Sequence, residues 1–153
     1  MRIGIVSDIH GNVLALVRAL EDMGDVDAIF CAGDAINHYH FSNEIFDIIR
    51  ERGILTVLGN HERDFLFAEG CKGSSDNITS ENIAYLQTLS NTLELNLDGK
   101  RIFMTHGSPW EPINEYIFPG NRKLAMLSTI GAHIVILGHT HYPMVVRRGG
   151  VLV

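Results

Sequence analysis

Several Asp, His and Asn side chains of this sequence fall into five short patches, and each patch lies beside a glycine. These residue types are the ligands that bind borderline transition metals in proteins. Two divalent ions held by such a set can clamp a phosphoryl oxygen and lower the pKa of a water that they share. The patches therefore predict a two-metal centre. The side chains concerned are Asp8 and His10, Asp34, Asn60 and His61, His106, and His139 and His141.

The spacing inside two of the patches favours shared ions. Asp8 and His10 are two residues apart, so on extended backbone their side chains point the same way and can grip one ion. His139 and His141 repeat this arrangement near the other end of the chain. A single Gly-His pair is weak evidence, because a lone His beside a strand is more often an ordinary hydrogen-bonded residue. Five such patches in one chain make the metal-site interpretation the stronger one.

Asp34 and Asn60 differ from the histidines in what they offer an ion. The Asp34 carboxylate can bridge two ions, which an imidazole cannot do, and the Asn60 amide oxygen adds a ligand without adding charge. A water shared by two ions would act, as hydroxide, as an in-line nucleophile on phosphorus. Such a site needs no Ser or Cys nucleophile, and none stands out in the sequence.

Each patch directly follows a short apolar run that predicts a buried β-strand. Ligands of open α/β sheets gather at the carboxyl ends of the strands. We therefore expect the five patches to converge in space, although they are spread over nearly the whole chain. The five predicted strands are residues 2–6, 27–32, 54–58, 101–105 and 133–137.

Helical periodicity between the strands predicts an α/β fold. Apolar residues at helical spacing predict one helix over 13–23, ending near Gly24, and another over 42–52, with Ser42 as N-cap. This alternation implies parallel strands joined by right-handed crossovers. The second half is predicted to hold helices over 79–89 and 122–130, hairpins that turn at Asp98-Gly99 and Gly149-Gly150, and a surface loop over 69–77.

Composition limits the class of protein. The chain has 18 acidic and 12 basic residues and a formal charge of −6, so it lacks the basic surface typical of nucleic-acid binding, and we expect no stable nucleic-acid partner. A phosphate-bearing substrate remains compatible with this charge, because two divalent ions would reverse the local field. No apolar stretch reaches the length of a membrane span, and the N-terminus lacks a signal-peptide pattern.

The length suits one domain over residues 1–153. Two cysteines without CxxC spacing favour a reducing cytoplasm, and Cys31, inside an apolar run, is expected to be a buried small hydrophobe. The chain stops at Val153 within another apolar run. We therefore expect either a natural end there or a C-terminal truncation.

The combined motifs resemble those of a known family. The string D-x-H, GD, GNH, HG and GHxH is similar to the signature of the calcineurin-like metallophosphoesterase superfamily. The opening SDIHGN and the small size look most like its short bacterial and archaeal phosphodiesterases. The resemblance implies a four-layer αββα sandwich, in which helices flank two mixed β-sheets and a di-metal site lies at the carboxyl ends of the strands.

The resemblance also implies roles. Asp8, His10 and His141 would hold a first metal, Asp34 would bridge the two ions, and Asn60, His106 and His139 would complete the second site. His61 would contact the phosphate and protonate the leaving oxygen, with a third metal ligand or a simple substrate hydrogen bond as alternatives. The cofactors are then two divalent transition-metal ions, with manganese preferred over iron, nickel or zinc.

The chain departs from the family pattern in two places. Glu62 stands where an Asp is common after GNH, and Asn37 stands where one branch has an Asp that orients the acid histidine. His38 and His40 are interpreted as surface residues of a variable loop, and His133 as structural, so none joins the predicted ligands.

Residues 106–121 are the best candidate for a loop that faces substrate, because they follow a predicted ligand directly. Trp110, Tyr116 and Phe118 in this loop could stack on a nucleobase or aryl group. The alternative is a proline-stiffened loop that caps the fold, with Trp110 packed beneath it.

We therefore expect a metal-dependent phosphoesterase that hydrolyses small phosphate monoesters or diesters, nucleotides included. The alternative is a non-catalytic scaffold of the same fold that binds proteins, which the complete ligand set disfavours. We expect no membrane partner, and self-association into a homo-oligomer stays open.

Overall fold

The computed structural model describes residues 1–37, 41–67 and 78–153. The predicted surface loop over 69–77, together with His38, His40 and Cys71, lies outside the described residues. Within the described part of the chain, no helix is both long and apolar enough to cross a bilayer.

The first half of the chain forms a parallel three-stranded sheet in the order β1-β2-β3. This arrangement confirms the parallel strands predicted from the alternation of apolar runs and helices. The elements are β1 (Ile3–Val6), α1 (Val13–Met23), β2 (Ala28–Cys31), α2 (Asn43–Glu51) and β3 (Leu55–Thr56).

The second half forms a five-stranded sheet in the order β4-β5-β6-β8-β7. β5 pairs in parallel with β6, and β6 with β8, whereas both hairpins are antiparallel. This second sheet is mixed, while the first is parallel throughout its described pairs. The strands are β4 (Thr92–Leu97), β5 (Lys100–Thr105), β6 (Ile134–Ile136), β7 (Arg147–Arg148) and β8 (Val151–Leu152).

Local sequence signals account for several boundaries. The Ser42 hydroxyl accepts the backbone N–H of Ile45 at 3.4 Å and caps α2, as predicted. Gly24 ends α1 with a φ of 60°. Asp98 and Gly99 both have positive φ, 50° and 68°, which is the twist that a two-residue turn between antiparallel strands requires.

Two helices differ from expectation. Helix α3 (Asn60–Phe67) begins at the third motif, where sequence periodicity predicted no helix, and Glu62 is its buried residue. The segment Arg122–Ile130 is a 3-10 helix, which Gly131 ends in a left-handed conformation. The predicted helix over 79–89 is present as α4 (Ser80–Thr88).

Successive side chains of a strand point to opposite faces of the sheet, so the apolar residues of β5 pack into two different layers. Ile102 and Met104 of β5 pack with Phe30 of β2 between the two sheets. Phe103, from the opposite face of β5, packs with Leu127 of the 3-10 helix. Residues of α1, α2 and α4 cover the other face of the first sheet. The two sheets flanked by helices confirm the predicted architecture.

Cys31 belongs to the core between α1, α2 and the first sheet and is fully buried. Burial raises the pKa of its thiol to about 12. The interpretation of Cys31 as a small buried hydrophobe is therefore supported.

An apolar groove of about 720 Å³ runs along β1 and β6. Among the described strands, β1 lies at the edge of its sheet. Ile5 is 45% exposed on this strand. Asp8 and His141 lie at the polar end of the groove, which therefore adjoins the predicted metal centre.

Candidate metal centre

Close backbone contact brings the ends of β2 and β3 together. A Cβ atom built on Gly59 would lie 2.1 Å from Asp34 Oδ1, and one built on Gly33 would lie 2.7 Å from the Gly59 nitrogen. These distances are far shorter than a van der Waals contact. Only glycine at both positions lets Asp34 sit directly against the start of α3.

One cluster of candidate ligands forms where β1 and β6 end. Asp8, His10 and His141 offer ligand atoms that all lie within 4.8 Å of one another. His10 Nε2 lies 3.0 Å from His141 Nε2, and His141 Nε2 lies 3.2 Å from Asp8 Oδ1. Ligand atoms about 2.1 Å from one ion are separated by about 3.0–3.4 Å, so these spacings fit a shared cation.

A second cluster forms where β2, β3, β5 and β6 end. His106 Nε2 lies 3.3 Å from Asp34 Oδ2, 3.1 Å from His139 Nδ1 and 3.1 Å from Asn60 Oδ1. Asp34 also forms a group with His10 and His61, so its carboxylate lies near both clusters. The structure therefore brings all eight sequence-predicted site residues into one region.

Three histidines of the clusters use their outer ring nitrogen on a backbone carbonyl. Such a bond places the proton on that nitrogen and turns the lone pair of the other nitrogen toward the centre. The pairs are His10 Nδ1 with Ile36 O at 3.3 Å, His106 Nδ1 with Ala32 O at 2.7 Å, and His139 Nε2 with Asn114 O at 3.2 Å. Facing lone pairs repel one another, and a cation between them removes that repulsion.

Asp8 provides an independent test of fit. Its Oδ2 atom accepts hydrogen bonds from Ser7 Oγ at 2.6 Å and from the backbone N–H of His139 at 3.1 Å. Its Oδ1 atom is buried and accepts no hydrogen bond within the described part of the chain. A buried oxygen without a partner is costly in free energy. Because Oδ1 faces His141, the donor set suits a divalent ion there.

The backbone of the candidate ligands is unusual. Among the described residues other than glycine, left-handed backbone occurs at five candidate ligands and at the turn residue Asp98. Such conformations are strained and concentrate at functional sites. The φ angles are 54° at Asp8, 50° at His10, 53° at Asp34, 68° at His139 and 51° at His141.

These angles correct two predictions from spacing. Asp8 and His10 do not lie on extended backbone, although their side chains do approach the same cluster. His139 and His141 do not share one cluster, because His139 joins Asp34 while His141 joins Asp8. A left-handed turn at each of the two histidines breaks the two-residue alternation of a strand.

The electrostatics of the second cluster shift the pKa values of three candidate ligands in different directions. Burial raises the pKa of Asp34, but the hydrogen bond and charge of His106 outweigh it and hold that pKa below its ordinary value. Burial lowers the pKa of His106, while Asp34 raises it more strongly, so the net shift is upward. Burial and the nearby His106 lower the pKa of His139. This downward shift of the His139 pKa favours the neutral imidazole, the form that binds a metal.

A cleft of about 400 Å³ opens onto both clusters. His61 lies on its wall, with Nε2 3.6 Å from Asp34 Oδ2 and its ring centroid 4.7 Å from that of His10. This position suits a group that meets a substrate bound at the centre. It also leaves the third-ligand alternative open, since His61 forms a group with His10 and Asp34.

The aromatic residues of the 106–121 loop divide into two sets. Tyr116 lines the cleft and stacks on His139, with ring centroids 3.9 Å apart, and Phe118 stacks on Tyr116. Trp110 lies away from the cleft lining, and Lys123 Nζ sits 5.6 Å from its ring centroid. The substrate-facing interpretation therefore fits Tyr116 and not Trp110.

Sequence reasoning missed one charged residue of the region. The sequence marks Glu62 as a departure from the family pattern but predicts no role for it. Its side chain is 1% exposed and accepts three backbone hydrogen bonds around Asp34 and Gly59. Burial, followed by the nearby Asp34 charge, raises the pKa of Glu62 to about 7. The Asn114 carbonyl was also missed, since sequence gives no signal for a backbone group.

Comparisons with known proteins agree with this geometry. The protein MJ0912 of Methanocaldococcus jannaschii is 31% identical over 162 residues, which cover 97% of this chain and 65% of that protein. A metallophosphoesterase from Sphaerobacter thermophilus superposes with a TM-score of 0.76 at 30% identity, over 96% of this chain and 63% of that one. This chain therefore spans somewhat under two thirds of the length of these relatives.

More distant structures share the fold. An archaeal phosphodiesterase superposes with a TM-score of 0.60 at 20% identity, over 99% of this chain and 81% of that one. The family model for the calcineurin-like phosphoesterase superfamily domain matches residues 1–153. The whole chain, with both ligand clusters, thus belongs to the calcineurin-like phosphoesterase superfamily.

Proposed function

We propose that this chain forms the catalytic core of a metal-dependent phosphoesterase that hydrolyses small phosphate esters. The observation that carries the proposal is the pair of ligand clusters that meet at Asp34, beside an open cleft. Monoesters and diesters, nucleotides included, all fit this chemistry.

The residues divide naturally between two ions. Asp8, His10 and His141 would hold the first, and Asn60, His106 and His139 the second, with Asp34 bridging them. When bound, two divalent ions supply an activated water as in-line nucleophile and neutralise charge on the phosphate oxygens. Manganese is the preferred candidate, and iron, nickel and zinc are alternatives.

The protein's own contribution at the leaving group falls to His61. In hydrolysis the P–O bond to the alcohol breaks, and the leaving oxygen needs a proton. His61 lines the cleft beside Asp34 and is the side-chain type best able to donate a proton near neutral pH. The backbone N–H of His61 donates to Asp34 Oδ1 at 3.0 Å, which fixes the start of α3 relative to the bridging ligand.

The test is turnover of aryl phosphate monoesters and diesters with each of the four candidate metals in turn, Mn²⁺ first, for the wild type and His61→Ala. General-acid loss costs about 10²–10⁴-fold in kcat, and the loss should grow as the leaving group becomes more basic. His133→Ala is a matched control, because His133 is exposed and bonds to the Arg101 backbone away from the cleft.

Two results would contradict the proposal in different ways. Absence of turnover with any of the four metals, despite two bound ions, would favour the protein-binding scaffold. Full activity of His61→Ala on substrates with poor leaving groups would remove the acid role alone.

A further inference from the structure

Glu62 is a buried carboxylate that the proposed chemistry does not use. It lies in the first turn of α3, is 1% exposed, and is absent from the lining of the cleft. Its Oε2 atom accepts the backbone N–H groups of Asp34 at 2.9 Å and Gly59 at 2.8 Å. Its Oε1 atom accepts the N–H of Ile36 at 2.9 Å.

These three N–H groups belong to two different strand ends. Asp34 and Ile36 follow β2, whereas Gly59 follows β3. The last residue pair between these two strands is Cys31 with Thr56. Beyond that position, the Glu62 side chain joins both loops. Charge-assisted hydrogen bonds to backbone N–H groups are among the stronger ones in proteins.

Asp34 is held from several sides by this arrangement. Glu62 accepts its N–H while its backbone has a φ of 53°, a conformation that needs support. The N–H of His61 donates to its Oδ1 atom, and Gly59 packs directly against its carboxylate. The position of Asp34 relative to the first turn of α3 therefore depends on Glu62.

We infer that Glu62 is a positioning residue of the metal centre, which fixes the bridging ligand Asp34 against Asn60 and His61. The inference rests on the proposed function, because it assigns Asp34 and Asn60 to the metal site. Loss of Glu62 weakens ion binding through Asp34 and leaves Asp8, His10 and His141 in place. The ion that Asn60 also ligates is affected most.

Glu62→Gln is the sharpest variant, because it keeps the size of the side chain and removes its charge. A glutamine offers one oxygen acceptor, and its NH₂ group faces at least one backbone N–H donor. Isothermal titration of the metal-free protein with Mn²⁺ measures the effect without any substrate. We expect at least one of two ions to bind about 10–100-fold more weakly, the usual effect of losing outer-shell support.

Leu86→Ala controls for a general loss of stability. Leu86 is fully buried among α1, α2 and α4 and contributes nothing to the cleft. This variant should lower Tm and leave both Mn²⁺ affinities unchanged. If Glu62→Gln does not fold, Glu62→Asp is titrated instead, because it keeps the charge but is too short to reach all three N–H groups.

The outcomes separate the inference from the proposed function. A wild-type protein that binds no Mn²⁺ overturns the proposed metal centre itself. A wild type that binds two ions, with a Glu62 variant that binds both equally well at a lower Tm, makes Glu62 purely structural and overturns the inference. Equal losses of affinity in Leu86→Ala and the Glu62 variant overturn it as well.

Discussion

Gly59→Ala tests how strictly the close contact with Gly59 fixes the position of the Asp34 carboxylate. The new methyl group would start 2.1 Å from Asp34 Oδ1, and an ordinary contact needs about 3.5 Å, so the carboxylate oxygen must move by roughly 1.4 Å. The φ of Gly59 lies outside the left-handed region, so alanine adds no backbone strain there. A displacement of about 1 Å in a catalytic group can cost about 10²-fold in rate.

The assay measures Mn²⁺ affinity by titration, kcat/KM for an aryl phosphate ester, and Tm. We expect Gly59→Ala to lower kcat/KM by about 10²-fold and to weaken metal binding. Gly53→Ala is the control, because its Cβ meets nothing within 4 Å and its φ of 61° adds only backbone strain. Wild-type metal affinity and activity in Gly59→Ala would refute the claim that glycine contact positions Asp34.

Three further predictions address other parts of the structure. His141→Ala should reduce the tightly bound Mn²⁺ from two ions to one, and the double variant with His139→Ala should bind none; two ions in the double variant would contradict the assignment. Tyr116→Ala should weaken Mn²⁺ binding by about 3- to 10-fold through loss of the stack on His139, and Trp110→Ala should not. Cys31, with a thiol pKa of about 12, should resist alkylation at pH 8 until the fold is unfolded, as measured in a Cys71→Ser background.

The strand ends were predictable because each motif follows an apolar run, and the carboxyl ends of parallel strands meet at one edge. This logic brought Asp8 and His141 together in one cluster and Asp34 and His106 in the other, from distant parts of the chain. The Asp98-Gly99 turn was equally predictable from the sequence, because a two-residue hairpin turn needs positive φ at both positions and Asp-Gly is a favoured pair there. These signals are local and strong.

The remaining features depend on tertiary context. Helix α3 was missed because its first five residues, 60–64, are all polar or charged and the residue it buries is Glu62, so its apolar periodicity is weak. The family resemblance assigns His139 and His141 to different ions, but their spacing alone predicts a shared ion, because left-handed backbone at a non-glycine residue is set by surrounding contacts. The role of the Asn114 carbonyl could not be predicted, because every residue carries one.

The left-handed backbone of the candidate ligands lowers the stability of the metal-free fold but keeps the metal site arranged in advance. Residues such as Asp34 keep a conformation that glycine would adopt at less cost, so the metal-free fold carries the strain before any ion arrives. An ion then meets loops that are already arranged, and less of its binding free energy is spent on ordering them. Selection for thermal stability without metal would therefore favour glycine at these positions and would erase the centre.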